Sequence, residues 1–584
     1  MADKELKVKK NNVALDCIFV AVLVLLPFLH LAFGVELTDT AYSLGNYENL
    51  QNMNLTWTVA TFWANMLGKF FTLLPMGHSW IGMKFYTTLV PMAGVVMSYF
   101  FLKKYIPRVI VFIGEILAIS LFWCPTTILY NYLTYFLFTL VIIFLVKGLE
   151  EEKKMLLFVA GIVLAFNVFV RFPNITEAIL IVLVIFKGKA DKKKVSEIIT
   201  NTLLCIGGFF AGLLLNVGII GLICGFNSIP NMVISLFSMT GENAGYKPTQ
   251  MILAIFKGYT TYTRSFILLL GMTVVCFVSS ALIKKHLVRI ITIVAQFLFY
   301  ALFLYWGYKN RVFSINFSEY ASMYFWMVVF FLLGNIFAIW TLLRKRRPLA
   351  YKLLALSVLV VMWITPLGSN NALYPSMNNL FLVAPVILAM IWEELFSGRN
   401  FFEMVDLEAR NSMVSTRITC ALLTFSVLVS CLLFGFSFIF RDSGFPFKNH
   451  TPVENNRILA GMHTSEERAK DISDLTLYIK ENNLSDKKAI FYGDLPGLEY
   501  ILEMPCAISH TWPDLGSFTA KELQTDIDAL EEPPVVFVKT TYCEDAIDVP
   551  EYAPQKVRIL SEYLNKNAYS LKTQIGDICI YYID

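Results

Sequence analysis

The chain has 584 residues, 57% of them hydrophobic and only 16% charged, with 49 Phe and 27 Tyr, and its mean hydropathy is +0.60. Soluble globular chains carry roughly a quarter charged residues and about 45–50% apolar ones, so disorder, a fibrous chain and an ordinary cytosolic enzyme are excluded and a polytopic membrane protein is implied. The net charge of +4 conceals two materials: residues 1–440 hold 34 Lys/Arg against 20 Asp/Glu, whereas residues 441–584 hold 14 against 24.

A bilayer crossing needs about 20 mostly apolar residues. Thirteen windows of that kind follow one another at 13–35, 81–102, 109–124, 126–146, 155–171, 175–186, 199–224, 266–283, 288–306, 321–343, 350–365, 376–396 and 417–440. The sixth is short enough to be tilted or re-entrant. The first is too long, and too poor in small residues at a cleavage position, to be a removed signal peptide. With the N-terminus in the cytoplasm, the inner segments carry 26 Lys/Arg and the outer ones eight. That asymmetry is what positive-inside sorting requires. It places residues 441–584 outside a plasma membrane.

The inner connections are short and basic, apart from the one at 397–417. The outer ones, 36–80, 225–265, 307–320 and 366–375, are mostly long, polar and rich in aromatics. Loops longer than about 12–15 residues are usually functional or disordered, and these are too aromatic for disorder. Chemistry therefore belongs to the outer face.

The first outer loop opens with Glu36-Leu-Thr-Asp39-Thr-Ala-Tyr42. In a helical turn Glu36 and Asp39 share one face. A carboxylate at an apolar boundary serves as a proton acceptor, or binds a cation with a partner; Thr38 or Asp39 is equally suited to cap a helix. Residues 56–74 follow with Trp57, Trp63, Phe70 and Phe71 on one helical stripe, which suits either a helix in the headgroup plane or one packed on the bundle roof. Glu115 lies inside the third window, a costly place for an acid without a partner or a cavity.

Arg171-Phe-Pro-Asn174 ends the fifth window, with Glu177 just beyond. The arginine's planar fork is made to grip a phosphate, or to pair with Glu177 across the turn. Lys247, Lys257 and Arg264 stand on the side where positive charge is usually avoided, which an anionic headgroup explains as well as plain solvation. Residues 366–375, with Asn370 and Asn371, form an uncharged stretch of turn chemistry. Its amides suit a sugar or a pyrophosphate, or an ordinary tight connection.

From Arg441 the pattern alternates. Helices are expected at 465–482, 498–502, 519–531 and 555–566, and strands at 489–492, 535–538 and 578–583, together a small α/β domain. Gly493-Asp494 is a plausible ligand turn at a strand end. There is no phosphate-cradling glycine motif and no Gly-x-Ser-x-Gly, so the domain by itself reads as accessory. Only Cys506, Cys543 and Cys579 fall in it, enough for one disulfide at most.

The order of an N-in first span, an acidic first outer loop with an amphipathic helix, short hairpins with an outer Arg-x-Pro-Asn and a C-terminal α/β domain resembles the GT-C superfamily of integral-membrane glycosyltransferases, which includes protein mannosyltransferases and aminoarabinose transferases. In motif the resemblance rests on Thr38-Asp39-Thr40-Ala41-Tyr42. It implies a catalytic membrane domain over 1–440 and an extracytoplasmic domain over 441–584. It also implies transfer of a sugar from a polyprenyl-phosphate donor to a polysaccharide, lipid or protein acceptor of the cell envelope, with no nucleic-acid partner. Asp39 matches the family's catalytic acid/base residue, with Glu36 beside it; Tyr42, Arg171, Asn174, Lys247, Asn370 and Asn371 are the substrate-binding candidates. Some members carry two adjacent acids; here Thr38 neighbours Asp39, so a divalent cation, if used, falls to Asp39 and Glu36. A polysaccharide polymerase or ligase and a lipid-linked-sugar flippase are the alternatives. Neither an internal repeat nor a set of midplane charges favours transport.

Overall fold

The computed structural model describes residues 2–50, 53–242, 248–282, 286–369, 371–396, 409–442, 450–516, 518–540 and 554–583. All thirteen apolar windows fall on helix, in pieces of unequal length. Among the described residues seven helices are long and apolar enough to cross a membrane: Trp80–Leu102, Leu129–Glu150, Val195–Cys224, Pro248–Ser279, Ile290–Lys309, Tyr320–Leu343 and Thr416–Ser437. The protein is thus an integral multi-pass membrane protein.

The remaining windows explain why the count of thirteen is not what the structure gives. Arg108–Ser120 has 13 residues and Val383–Phe396 has 14, and at about 1.5 Å per residue neither matches a hydrocarbon core about 30 Å thick. The second is apolar because it is enclosed by protein, with Val383, Ala384, Val386 and Ile387 all buried. The window at 175–186 is a 3₁₀ segment, Phe172–Ile181, running into the helix Val182–Ala190. Composition alone does not separate a lipid-facing helix from one wrapped in neighbours. Within 225–265, expected to be loop, the described residues form the helices Ser228–Glu242 and Pro248–Thr260. Glu115 is fully buried, and neither carboxyl oxygen makes a hydrogen bond of ordinary geometry.

The amphipathic stretch after the first acids breaks at Thr61 into the helices Leu55–Ala60 and Phe62–Thr72. It packs on the bundle: Phe62, Ala64 and Phe71 are buried, and the Trp63 indole donates to Asn216 Oδ1 at 2.6 Å. Gly68 is obligatory there, since a Cβ would stand 2.3 Å from the Tyr47 ring. That contact fixes the helix Asp39–Glu48, which Thr127 Oγ1 also holds by donating to the Thr40 carbonyl at 2.7 Å.

The C-terminal part contains a small ribbon, β1 (Thr451–Pro452) against β2 (His463–Thr464), and a four-stranded sheet. In the sheet β3 (Ala489–Tyr492) pairs in parallel with β4 (Val535–Lys539), which pairs antiparallel with β6 (Ile578–Tyr582), itself joined to β5 (Ser570–Ile575). β5 was not legible in sequence because its residues are largely exposed and polar. The period of two divides β3 cleanly. Ala489 and Phe491 join the core that runs into the membrane helices, while Ile490 and Tyr492 face Leu523 and Leu560 beneath the outer helices. Among the described residues Cys506 and Cys579 are free thiols; Cys543 lies outside them.

One of the places where the two parts meet is residues 32–40. The Gly34 N–H donates to the His463 carbonyl and the His463 N–H to the Ala32 carbonyl, at 2.9 and 2.8 Å, so the chain before Glu36 runs on from β2. Asp442, with its side chain fully enclosed, accepts from the Val35 N–H at 3.0 Å, from Thr464 Oγ1 at 2.7 Å and from Arg468 at 3.3 Å. Arg468 also donates to the Val35 carbonyl at 2.7 Å. Removing one partner of such a buried cluster typically costs about 3–5 kcal/mol. Asp442→Ala is therefore expected to lower the melting temperature of the purified protein clearly, and an unchanged melt would show that the cluster does not hold the two parts together.

Candidate active site

Asp39 is the first residue of the helix Asp39–Glu48. The helix start is capped from outside. Glu36 Oε1 accepts from the Thr38 and Asp39 backbone N–H groups at 2.8 and 3.2 Å and from the Thr38 hydroxyl, and Oε2 accepts from the Thr40 N–H at 2.6 Å. The capping expected of Thr38 or Asp39 is thus performed by Glu36. The Asp39 side chain is spared, with a third of its surface open.

Arg441, just after the last membrane helix, meets Asp39 Oδ2 at 3.2 Å and lies 3.9 Å from Glu36 Oε1, while donating to Thr38 Oγ1 at 2.6 Å. Enclosure by protein, with Glu36 and Asp494 nearby, raises the Asp39 carboxyl to about 6 against the opposing pull of Arg441. The site therefore holds a carboxylate poised to take a proton near neutral pH.

A hard divalent cation asks for about six oxygen ligands. Both Glu36 oxygens are already spent on the helix start, and one Asp39 oxygen faces the Arg441 guanidinium. Among the described residues no group of three His, Cys, Asp or Glu side chains is placed to hold a metal ion. The pair Asp39 and Glu36 does not fit the cation allowed for from the sequence; a guanidinium sits where its charge would be.

Asp39 stands on the seam of two cavities. The first, of 440 Å³, is largely apolar and includes Tyr42, Trp57, Leu236, Phe237 and Met251 in its wall. The second, of 660 Å³, includes Trp123, Asn131, Tyr320, Tyr374 and Arg441. Asp39, Tyr130, Arg171, Ser369 and Asn371 line both. Arg171 does not close an ion pair with Glu177. It donates to the Gly368 carbonyl at 2.7 Å, and Glu177 accepts from Asn167 at 2.7 Å. Asn174 is removed from the site, because its amide is used on Thr134 Oγ1 and on the Asn167 carbonyl, at 2.8 and 3.0 Å, in the bundle interior. Lys247 and Asn370 lie outside the described residues.

The C-terminal part enters the first cavity through Trp512 and Leu515. The Trp512 N–H donates to His510 Nδ1 at 3.1 Å, which leaves the His510 proton on Nε2, 3.1 Å from the Tyr42 hydroxyl. Burial pushes His510 down to about 3, so it stays neutral and orients the Tyr42 phenol. The Gly493-Asp494 turn is closed internally: Asp514 accepts both backbone N–H groups at 2.9 Å, and the Trp512 indole spans Asp494 and Asp514 at 3.2 Å. His510, Trp512 and Arg441 had no signal in the sequence beyond their residue types. What reveals them is the docking of the tail on the first outer loop.

No protein-family model and no curated protein sequence matches the chain. Among solved structures it is distantly similar to the oligosaccharyltransferase of Archaeoglobus fulgidus in complex with zinc and sulfate, with a TM-score of 0.47 at 10% identity over 96% of this chain and 72% of that one. It is similarly related to the archaeal oligosaccharyltransferase AglB of the same organism in complex with an inhibitory peptide and a dolichol-phosphate, with a TM-score of 0.47 at 11% identity over 97% and 74%. At these values the likeness gives no correspondence between residues, and the site rests on its own geometry.

Behind the helix Asp39–Glu48 lies a second unusual acid. Glu499 is buried against Gly45, accepts from the Asn49 amide on one oxygen and, among the described residues, finds no partner for the other. Burial, with Glu48 adding to it, raises its carboxyl to about 8. The folded protein then keeps a proton that the unfolded chain loses above pH 4.5, so this group weakens the fold progressively as pH rises from there to about 8. Glu499→Gln is expected to raise the melting temperature at pH 8 by a few degrees, given about 2–4 °C per kcal/mol in larger domains. The gain should shrink toward pH 5; a difference independent of pH would contradict the assignment.

Proposed function

We propose that the protein is a GT-C-type membrane glycosyltransferase that moves a sugar from a polyprenyl-phosphate donor to a cell-envelope acceptor at the outer membrane surface. Residues 1–440 form the catalytic membrane domain and residues 441–584 an extracytoplasmic domain that completes one wall of the site. The excess of Lys/Arg in the expected inner loops supports that orientation. The observation that carries the reading is Asp39, an acid with a raised proton affinity at the boundary of one apolar and one polar cavity.

The helices Ser228–Glu242 and Pro248–Thr260 give the first cavity an apolar wall through Leu236, Phe237 and Met251, suited to a prenyl chain. Arg171, with Ser369 and Asn371, faces the place where the donor phosphate would stand, and Lys247 and Asn370 belong to the neighbouring segments. The acceptor hydroxyl attacks the anomeric carbon as Asp39 takes its proton. A new carbon–oxygen bond forms, and the bond to the phosphate oxygen breaks with its electron pair. Polyprenyl phosphate leaves as an anion, which Arg171 stabilises. Arg441 holds the Asp39 carboxylate in place and offsets the charge of Glu36.

Asp39→Asn is expected to reduce sugar transfer by about 10²–10⁴-fold, the usual worth of a general base, without loss of expression or of the melting transition. Full activity in that variant would remove Asp39 from the chemistry. Because the working form is the carboxylate, kcat/KM should be flat above pH 6 and fall about tenfold per unit below it. A rate that stayed constant down to pH 4.5 would contradict the raised carboxyl.

A further inference from the structure

Arg171 lines both cavities together with Asp39, and a single contact aims it. A guanidinium carries five N–H donors in a rigid fork. Among the described residues one hydrogen bond holds that fork, from Arg171 Nη2 to the Gly368 carbonyl at 2.7 Å. Glu177 is within electrostatic reach but accepts from the Asn167 amide instead. A carbonyl orients a guanidinium without cancelling its charge, whereas a paired carboxylate does both. The half-buried arginine is thereby directed while, among the described residues, most of its N–H groups stay unspent.

The carbonyl is itself fixed in a way that only glycine allows. Gly368 has φ +79°, a left-handed conformation that other residues rarely adopt. A Cβ at this position would run into Cβ and Cγ of Pro173, which follows Arg171 by two residues. Pro173 lies in the first turn of the 3₁₀ segment Phe172–Ile181, and its ring locks its own φ. The contacts close a circuit. The backbone just after Arg171 presses on Gly368, and the Gly368 carbonyl holds the Arg171 side chain, so two stretches 197 positions apart form one unit. On the same turn Ser369 Oγ accepts from the Asn371 N–H at 3.1 Å, and both residues line the two cavities beside Arg171.

We infer that Gly368 is a positioning residue: its carbonyl sets the Arg171 fork at the meeting of the two cavities, where the fork grips the phosphate of the lipid donor and of the departing polyprenyl phosphate. This deepens the glycosyltransferase reading and rests on it for the identity of the anion. With an alanine at 368, either the turn or Pro173 must give way, the carbonyl moves, and Arg171 loses its tether. The atoms of the transfer step are unchanged. The acceptor oxygen bonds to the anomeric carbon, its proton passes to Asp39, and the bond to the phosphate oxygen breaks with its electron pair on that oxygen. Gly368 bears on how well that new charge is met.

The test uses the full-length protein in lipid nanodiscs and compares the Kd of polyprenyl phosphate with that of the uncharged polyprenol of the same length. Wild-type protein should bind the phosphate more tightly; equal affinity for the two lipids would overturn the inference. Arg171→Gln and Gly368→Ala should each weaken phosphate binding about tenfold, the equivalent of one hydrogen bond to a charged group, and leave polyprenol within about twofold. The double variant should bind within about twofold of Arg171→Gln alone, because Gly368 acts through that side chain. Cleavage of labelled polyprenyl-phosphate hexoses is followed alongside. Its kcat/KM should fall in Gly368→Ala while the acid limb stays at about 6, since Asp39 and Arg441 are untouched. If Gly368→Ala has no melting transition, Pro173→Ala, which takes the ring out of the contact and adds nothing at 368, is read in its place. Phosphate binding within about twofold of wild type in the folded variant, equal losses for phosphate and polyprenol, or additive losses in the double variant would each overturn the assignment. So would a displaced acid limb, which marks a general distortion of the site. Wild-type protein that binds the phosphate through Arg171 yet cleaves no donor would overturn the transferase reading alone.

Discussion

The enclosed carboxylate of Asp442 ties the start of the first outer loop to the C-terminal part. It draws the Val35 backbone to Thr464 and Arg468, which belong to a stretch of chain more than four hundred positions away. With Val35 fixed, the next residue, Glu36, is set where its two oxygens meet the first N–H groups of the following helix. With Asp442 fixed, its neighbour Arg441 is delivered to Asp39. A buried ionic cluster is often a weak contributor to net stability, because desolvation offsets the attraction. Its value here is positional, since a small displacement of this junction would separate the guanidinium from the acid it attends.

The electrostatics of Asp39 follow from that placement. Burial and the neighbouring acids favour the protonated carboxyl, Arg441 favours the carboxylate, and the balance falls at about 6. Glu36 contributes charge without being free to bind a ligand, because a helix start has unsatisfied donors that need an acceptor. This division of labour between two acids three residues apart is why the pair does not form a metal site. One carboxylate caps the helix start, and the other keeps a third of its side-chain surface open.

Much of the architecture could be read in the sequence because it follows from composition and period. The apolar windows located most of the helices, and short apolar runs located β3, β4 and β6. The reading failed where environment overrides composition. Val383–Phe396 is apolar largely because protein encloses it, and Arg108–Ser120 is short for a span. The helices Ser228–Glu242 and Pro248–Thr260 were missed because each is too short to fill a window of about twenty apolar residues. Among the site residues, Asp39, Tyr42, Arg171 and Asn371 were legible as polar groups in outer segments, and all four line the cavity walls. Asn174 had the same appearance and is a bundle-interior hydrogen-bonding residue instead.

Splitting a net charge of +4 into a basic first part and an acidic remainder was enough to define a membrane protein with a distinct tail, since hydropathy and loop charge are local properties of the chain. The sequence by itself also determined that an acid stands at the head of the first long polar segment. Only the tertiary structure decided which acid is free, what faces it and what surrounds it. Arg441 lies some four hundred positions away from Asp39 along the chain, and Trp123, Tyr320 and the short helix Tyr374–Asn378 come from three separate stretches. Their convergence is a product of packing, and no periodicity in the sequence encodes it.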